Sequence, residues 1–267
     1  MAKSSSAVST QSVGRIDEIT GEVLASLIRQ PDALAGLNAL PVEEAGSVLY
    51  SPQLAVGDFG LYFRTRLNVV NVGNGETTVT VALLDESGAP LVPDTKLLDL
   101  VPGAHFSLDV GSFFGLELGQ GYVRISASGD GKLLGNILFG DGDPGVNSLK
   151  FAATLPLYAS GSRNFLFAHL AQGGGYYTGV AFLAPEGAEV TVEAFDNKGA
   201  AKGSPFQLHL EPGQRLASLL MGLIPETAGQ LGGYVRVTSD RPVISFELFG
   251  TADGQVLSAV PPQRLPG

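Results

Sequence analysis

Gly121-Tyr122-Val123-Arg124 recurs as Gly233-Tyr234-Val235-Arg236, roughly 110 residues further along the chain. This match decides the fold because other landmarks repeat in the same order and at nearly the same spacing. They are Pro102-Gly103 with Pro212-Gly213, Leu138-Phe139-Gly140 with Leu248-Phe249-Gly250, and Asp85 and Gly88 with Asp196 and Gly199. Self-similarity at a fixed period indicates two copies of one structural unit.

Each copy has the sequence pattern of antiparallel strands joined by tight turns. The β-branched stretch 77–84 runs into Asp85-Glu86-Ser87-Gly88, and its counterpart 189–195 runs into Asp196-Asn197-Lys198-Gly199. β-branched residues favour strands, while Asp and Gly favour turns. The pattern therefore predicts strand, turn, strand in both copies.

The composition fits this architecture. The chain has 267 residues, 44% of them hydrophobic, with 36 Gly and 16 Pro. That mixture is typical of an all-β protein with many turns. We predict a short N-terminal arm with an amphipathic helix, residues 1–47, followed by two tandem antiparallel β-sandwich domains, residues 48–157 and 158–267.

Charge and cysteine content exclude several classes of function. The net charge is −10, which repels nucleic-acid backbones and anionic membranes. The chain has no Cys, which excludes disulfides and thiolate chemistry. No stretch of 18 apolar residues is present, so we expect no helix that spans a membrane.

The arm contains the best helix pattern of the chain. Between residues 15 and 30, apolar side chains recur every three or four positions, and Pro31 ends the pattern. The predicted apolar stripe consists of Ile16, Ile19, Val23, Leu24, Leu27 and Ile28. Two interpretations stay open, because the stripe would be covered either by the first sandwich of the same chain or by another subunit.

Several motifs of the second copy resemble a known type of domain. They are Tyr177-Thr178-Gly179-Val180-Ala181-Phe182, Asp196-Asn197-Lys198-Gly199, Leu210-Glu211-Pro212-Gly213, and Gly233 to Val243. Together they are similar to the Ig-like β-sandwich repeat domains of secreted and surface proteins of bacteria. The resemblance covers about residues 57–262 and implies an Ig-like fold, but it carries no catalytic residue to this chain.

Tyr176 and Tyr177 follow the flexible stretch Gly173-Gly174-Gly175 and are the best candidates for contacts with a partner. Two interpretations stay open here too. The loop either packs on its own domain or presents the two rings to a glycan or a protein.

Asp141, Asp143 and Asn147 offer hard oxygen ligands in a Gly-bearing loop, which suits calcium. The spacing lacks the complete EF-hand pattern, so a solvated turn is the competing interpretation. The three His are far apart in sequence, and no nucleophile elbow, phosphate loop or dinucleotide fingerprint is present. We therefore expect no enzyme and no required cofactor.

These observations favour a non-catalytic structural or adhesive protein that self-assembles through its N-terminal arm. Filaments are one form that such an assembly can take. The alternative is a β-sandwich module that binds a glycan or a surface protein, with or without calcium. Residues 1–6 do not have the apolar core of a signal peptide. Because of the resemblance, we expect an extracellular or cell-surface bacterial protein in its mature form, lacking its signal peptide.

Overall fold

The computed structural model describes residues 22–23, 28–29, 34–35, 40–93, 96–142 and 150–265. Strands dominate, and the paired strands of the two large sheets are all antiparallel. The prediction of an all-β protein is thereby confirmed, whereas its Ig-like character stays a prediction. Among the described residues the longest helix has five residues, and none is long and apolar enough to cross a bilayer.

The N-terminal arm contributes four short strands before the main sheets begin. They are β1 (Glu22–Val23), β2 (Ile28–Arg29), β3 (Leu34–Ala35) and β4 (Leu40–Pro41), followed by a 3-10 turn at Val42–Glu44. β1 pairs with β4, and β2 pairs with β3.

The helix predicted over residues 15–30 is thus not found where that segment is described. Val23 and Ile28 belong to strands, while Ile16, Ile19, Leu24 and Leu27 lie outside the described residues. The physical reason is pairing, since backbone groups that bond to another strand are no longer free for bonds within a helix.

Residues 48–156 form the first large sheet, which we call unit one. Its elements are β5 (Val48–Asp58), β6 (Tyr62–Asn71), β7 (Thr77–Leu84), β8 (Lys96–Leu100), β9 (His105–Asp109), α1 (Val110–Phe114), β10 (Gly119–Ala127), β11 (Leu133–Asp141) and β12 (Phe151–Pro156). The strand order is β12-β11-β6-β5-β10-β7-β8, and β9 pairs with β6 on the edge opposite β11.

β5 joins two layers of unit one, because its body pairs with β10 and its end pairs with β6. Buried side chains of both layers meet in one core, for example Val81 and Ile125 from one layer with Leu67 and Ile137 from the other. Unit one is therefore a two-layered sandwich. The arm reaches it too, since β3 lies beside β12 of the same chain.

Residues 162–264 form the second large sheet and a small separate sheet of β14 and β19, which together we call unit two. Its elements are β13 (Ser162–Phe167), β14 (Ala171–Gln172), β15 (Tyr176–Ala184), β16 (Ala188–Phe195), β17 (Ala201–Leu210), β18 (Gln214–Leu219), α2 (Leu220–Leu223), a 3-10 turn at Pro225–Thr227, β19 (Gln230–Leu231), β20 (Tyr234–Thr251), β21 (Leu257–Val260) and β22 (Gln263–Arg264).

The long strand β20 passes through both layers of unit two. Its first half pairs with β13 and β16, and its second half pairs with β15 and β21. Val180, Phe182 and Val190 are among the buried side chains that fill the core between these layers.

Local structure repeats as the sequence predicts. Oδ1 of Asp85 accepts hydrogen bonds from the amides of Ser87 and Ala89, and Oδ1 of Asp196 accepts them from Lys198 and Ala200. Gly88 and Gly199 complete these turns with φ of 87° and 81°, a conformation that favours glycine. α1 and α2 occupy matching places in their units, and each begins with a fully buried side chain, Val110 or Leu220.

The two units touch through a continuous apolar contact. Ala181, Phe246 and Leu257 of unit two belong to the same hydrophobic cluster as the core of unit one. The ring of Phe246 meets that of Phe139 edge to face, with centroids 6.4 Å apart. The layer containing β15 and β20 is consequently buried on both faces.

A buried arginine completes the junction between the units. Arg215 donates from Nε to the carbonyl of Pro52 (2.6 Å), from Nη2 to Oε1 of Gln53 (3.0 Å) and from Nη1 to Oε1 of Glu86 (3.1 Å). Only 3% of its side chain is exposed. Burial lowers the pKa of Arg215 to about 10, so the guanidinium remains charged at neutral pH. The three bonds fix unit two against the β5 strand and the Asp85 turn of unit one.

We expect Arg215→Ala to lower the free energy of unfolding by about 3 kcal/mol, because it leaves buried acceptors of unit one without donors. Urea unfolding followed by circular dichroism measures the change. Arg236→Ala is the matched control, since Arg236 pairs with Glu193 at the surface. That change is expected to cost less than about 1 kcal/mol. Equal effects of the two variants would show that the buried contacts do not hold the units together.

Candidate functional site at the loop end

Exposed apolar side chains collect at the end of the two units where the β5–β6 and β14–β15 connections lie. Seven of them form a surface that we call the apolar ridge: Phe59, Leu61, Leu118, Tyr176, Met221, Leu231 and Val256. Their exposed fractions run from 38% for Leu61 to 57% for Leu118 and Leu231. A contiguous group of this kind is the usual mark of an interaction surface.

Contacts between loops bring members of the ridge from the two units close together. In unit one, Leu118 lies against Gly57 at the base of the β5–β6 hairpin. The tip of that hairpin reaches unit two, where a Cβ on Gly254 would lie 3.6 Å from the methyl groups of Leu61. Val256 follows in the same β20–β21 loop, and its amide donates to Oγ1 of Thr251 (3.1 Å).

The ridge continues within unit two. The amide of Ala252 donates to the carbonyl of Gly175 (2.8 Å), which directly precedes Tyr176. A Cβ on Gly174 would lie 3.5 Å from Cδ1 of Leu231. Nε2 of Gln172 donates to the sulfur of Met221 (3.2 Å), which places α2 beside the same loop.

Unit one extends the ridge with a longer hairpin. The hydroxyl of Thr65 donates to the carbonyl of Ala55 ten residues earlier, and the hydroxyl of Thr178 makes the same bond to Ala171 seven residues earlier. The two bonds mark equivalent positions of the repeat, so the hairpin of unit one has three more residues. Its tip, Phe59-Gly60-Leu61, is closed by a bond from the amide of Gly60 to Oδ1 of Asp58 (2.8 Å).

A groove of about 820 Å³ lies beside the ridge, between the hairpin and α1. Its wall contains an ion pair in which Nη2 of Arg64 lies 2.8 Å from Oδ2 of Asp109. Burial raises the pKa of Asp109, but hydrogen bonds from Ser112 and the charge of Arg64 outweigh it, so the pKa lies below its usual value. Asp109 therefore stays ionised and fixes the start of α1.

The two tyrosines predicted to contact a partner have different environments. Tyr176 is 44% exposed on the ridge. Tyr177 is half-buried against the hydrophobic cluster of unit one, beside Gly250, and burial raises the pKa of its hydroxyl. The expected exposed pair is therefore a single exposed ring, because successive strand residues point to opposite faces and one of these faces is covered.

A buried carboxylate lies behind the loop that carries Tyr176. Glu247 is completely buried, and its Oε1 is 3.0 Å from Nδ1 of His169. Its other oxygen, Oε2, has no hydrogen-bond partner in the described part of the chain. Burial raises the pKa of Glu247, and the contact with His169 counteracts part of that effect. The ring of His169 stacks on Phe249, with centroids 4.2 Å apart.

The repeat shows how unusual this carboxylate is. Val180 is the cross-strand neighbour of Glu247, and in unit one the equivalent pair is Leu67 and Ile137. Ile137 is fully buried in an apolar core. Glu247 thus replaces an apolar side chain that the scaffold accepts at this position. Alignment of the two copies reveals this difference, because Glu247 and Ile137 directly precede the repeated Leu-Phe-Gly. The spacing between charged residues in the sequence does not reveal Glu247 as a buried site.

The predicted calcium ligands are only partly described. Asp141 ends β11 and is buried, while Asp143 and Asn147 lie outside the described residues. Within the part of the chain that the structure describes, no group of three or more His, Asp or Glu side chains is arranged to hold a metal ion. Calcium binding stays a prediction.

We expect Glu247→Ile to raise the free energy of unfolding by about 1–2 kcal/mol at pH 8, because an apolar side chain removes the cost of a buried charge. The pKa of Glu247 is higher in the folded protein than in the unfolded chain. The ionised form is therefore the costly one, and the gain should shrink as the pH falls through the folded pKa toward about 4.3. Thermal unfolding at pH 5 to 8 measures this trend.

Glu189→Ile is the control, because Glu189 also contacts a histidine, His209, but at the surface. It should leave the unfolding temperature unchanged. A loss of stability in Glu247→Ile at pH 8 would contradict the proposed cost of the buried carboxylate.

No family model and no curated protein matches this chain. The crystal structure of Thermotoga maritima 1070 is similar over 42% of this chain and 93% of its own, with 13% identity and a TM-score of 0.33. A structure titled "putative beta-galactosidase from bacteroides fragilis" covers 82% of this chain and 33% of its own, with 11% identity and a TM-score of 0.17. Scores this low carry no argument about fold or function.

Proposed function

We propose that this protein is a non-catalytic binding protein that holds a protein partner on the apolar ridge. The observation that carries the proposal is that seven exposed apolar side chains lie on loops of both units that contact one another. Exposed apolar side chains are stabilised only when another surface covers them and removes them from water. The contacts of Arg215 support the same function, since a surface shared by two units needs both units in fixed register.

The character of the ridge favours a protein over a glycan. Six of its seven members are aliphatic, methionine or phenylalanine, and Tyr176 is its one residue with a ring hydroxyl. A protein interface needs such an apolar centre with a polar rim. With a net charge of −10, the chain favours a partner that is neutral or basic around its contact area. We include an extracellular location in the proposal, on the resemblance described above.

Self-assembly through the arm stays a prediction. One described strand of the arm, β3, lies beside β12 of its own chain. Light scattering after size exclusion distinguishes self-assembly from an arm that packs on its own chain. A mass many times the 27.6 kDa of one chain would favour assembly, and a single-chain mass would favour a partner of another kind.

The ridge is tested by placing the photo-crosslinker benzoylphenylalanine at position 61 of the full chain, in cells of the source organism. We expect a crosslink to one defined protein, because the tip of the hairpin would lie inside the interface. The matched control carries the crosslinker at position 101. Val101 is 53% exposed, but its turn adjoins Asn71 at the opposite end of β6.

Tyr176→Ser and Leu231→Ser are then added to the protein that carries the crosslinker at position 61. They should reduce the crosslinked yield at least fivefold, since a hot-spot truncation costs about 1–2 kcal/mol or more. A crosslink to a second copy of this chain would identify self-association through the ridge. Equal labelling at positions 61 and 101, or labelling that ignores the two serine changes, would contradict a binding function for this surface.

A further inference from the structure

The contact between His169 and Glu247 is built into a segment that belongs to the ridge. His169 lies between β13 and β14, two residues before Ala171. Ala171 exchanges two hydrogen bonds with the hydroxyl of Thr178, and Oε1 of Gln172 accepts from the amide of Thr178 (3.1 Å). Tyr176 follows four residues after Gln172. The histidine therefore anchors the start of the loop whose end carries the exposed ring.

The fold does not require an ionisable pair at this place. In unit one, β5 contains the equivalents of His169 and Ala171, namely Gln53 and Ala55, and Ile137 is the equivalent of Glu247. Gln53 faces the junction and accepts a bond from Arg215. The sandwich of unit one is thus complete with an amide and an aliphatic side chain where unit two has an imidazole and a carboxylate.

The pair has few other polar neighbours to compensate for its charge. Among the described residues, His169 is the one titratable group that acts on Glu247, and the strands on either side place Val180 and Val260 opposite it. His169 itself is one-third exposed and covers Phe249 on its inner side. The proton shared by the two groups is therefore exchanged with solvent through the histidine.

We propose that His169 and Glu247 form a proton-controlled latch, which holds the segment from residue 168 to residue 176 and so sets the shape of the apolar ridge. Its consequence for binding rests on the proposed function, whereas the latch itself does not. With one proton in the pair, either an imidazolium meets a carboxylate or a neutral ring meets a carboxylic acid, and both forms are compensated. When that proton is lost, a carboxylate remains inside the sandwich with a single neutral donor.

The sign of the effect follows from this. Burial raises the pKa of Glu247, so the last proton of the pair is lost at a pH above the usual range of a carboxyl group. The latch is closed at mildly acidic pH and loosens as the pH rises, because water then gains access to the carboxylate. The ridge of unit one, at Phe59 and Leu61, does not depend on this pair.

Hydrogen exchange of the purified full chain, followed by mass spectrometry, tests the latch without a partner. Peptides covering residues 168–176 are compared with peptides covering the equivalent β5–β6 hairpin of unit one, so that the intrinsic pH dependence of exchange cancels. Relative protection of 168–176 should fall about tenfold between pH 6 and pH 8.5, because the ionised carboxylate loosens the contacts that hold this segment. Glu247→Gln should remove this pH dependence, because the amide keeps a hydrogen bond but carries no charge.

An unchanged protection ratio from pH 6 to pH 8.5, or the same fall in Glu247→Gln, would overturn the latch. If Glu247→Gln fails to fold, Glu247→Ile takes its place, and the carboxyl carbon signal of Glu247 in the native chain gives a second measurement. That signal should titrate together with the amide of Thr178. A working latch without any crosslink from position 61 would mean that the latch stands while the proposed binding function fails.

Discussion

The structure depends on one constraint: the layer of unit two that contains β15 and β20 must be apolar on both faces. Its inner face, with Val180 and Phe182, closes the core of unit two, and its outer face, with Ala181 and Phe246, packs on unit one. The equivalent outer face of unit one is polar, because Nδ2 of Asn68 donates a hydrogen bond of 2.9 Å to Oδ1 of Asn136 there. The exchange of an asparagine pair for alanine and phenylalanine turns a polar face into a junction.

That junction explains why the loops of two sandwiches act as one surface. Apolar packing alone would allow the units to slide, since it is not directional. Arg215 adds direction, because its three acceptors belong to β5 and to the Asp85 turn. Fixing β5 also fixes the hairpin at its end, which carries Phe59 and Leu61. The position of the ridge is therefore a consequence of how the buried face of unit two is covered.

The sequence predicted local structure well and tertiary packing poorly. The repeated Gly-Tyr-Val-Arg strands and the Asp-to-Gly turns depend on neighbouring residues, and they are present. Of the helix expected over residues 15–30, Val23 and Ile28 are described and lie in short strands that pair with other segments, so the helix is not confirmed. The sequence predicts Tyr176 and Tyr177 as an exposed pair, whereas they lie on opposite faces of β15, and no pattern within one strand tells which face another unit will cover. Exposure of the ridge depends on contacts between loops that are distant in sequence.

Where the two copies differ, the difference itself points to function. Identical scaffolding is used twice, so residues that the fold needs should agree in kind, as Phe139 and Phe249 do. The three added hairpin residues and the pair His169 and Glu247 do not agree with their counterparts, and all of them lie at the loop end. A buried carboxylate costs stability that the isoleucine of the other copy shows to be avoidable. Such a cost persists where it serves something other than folding, and here the ridge is the feature that it touches.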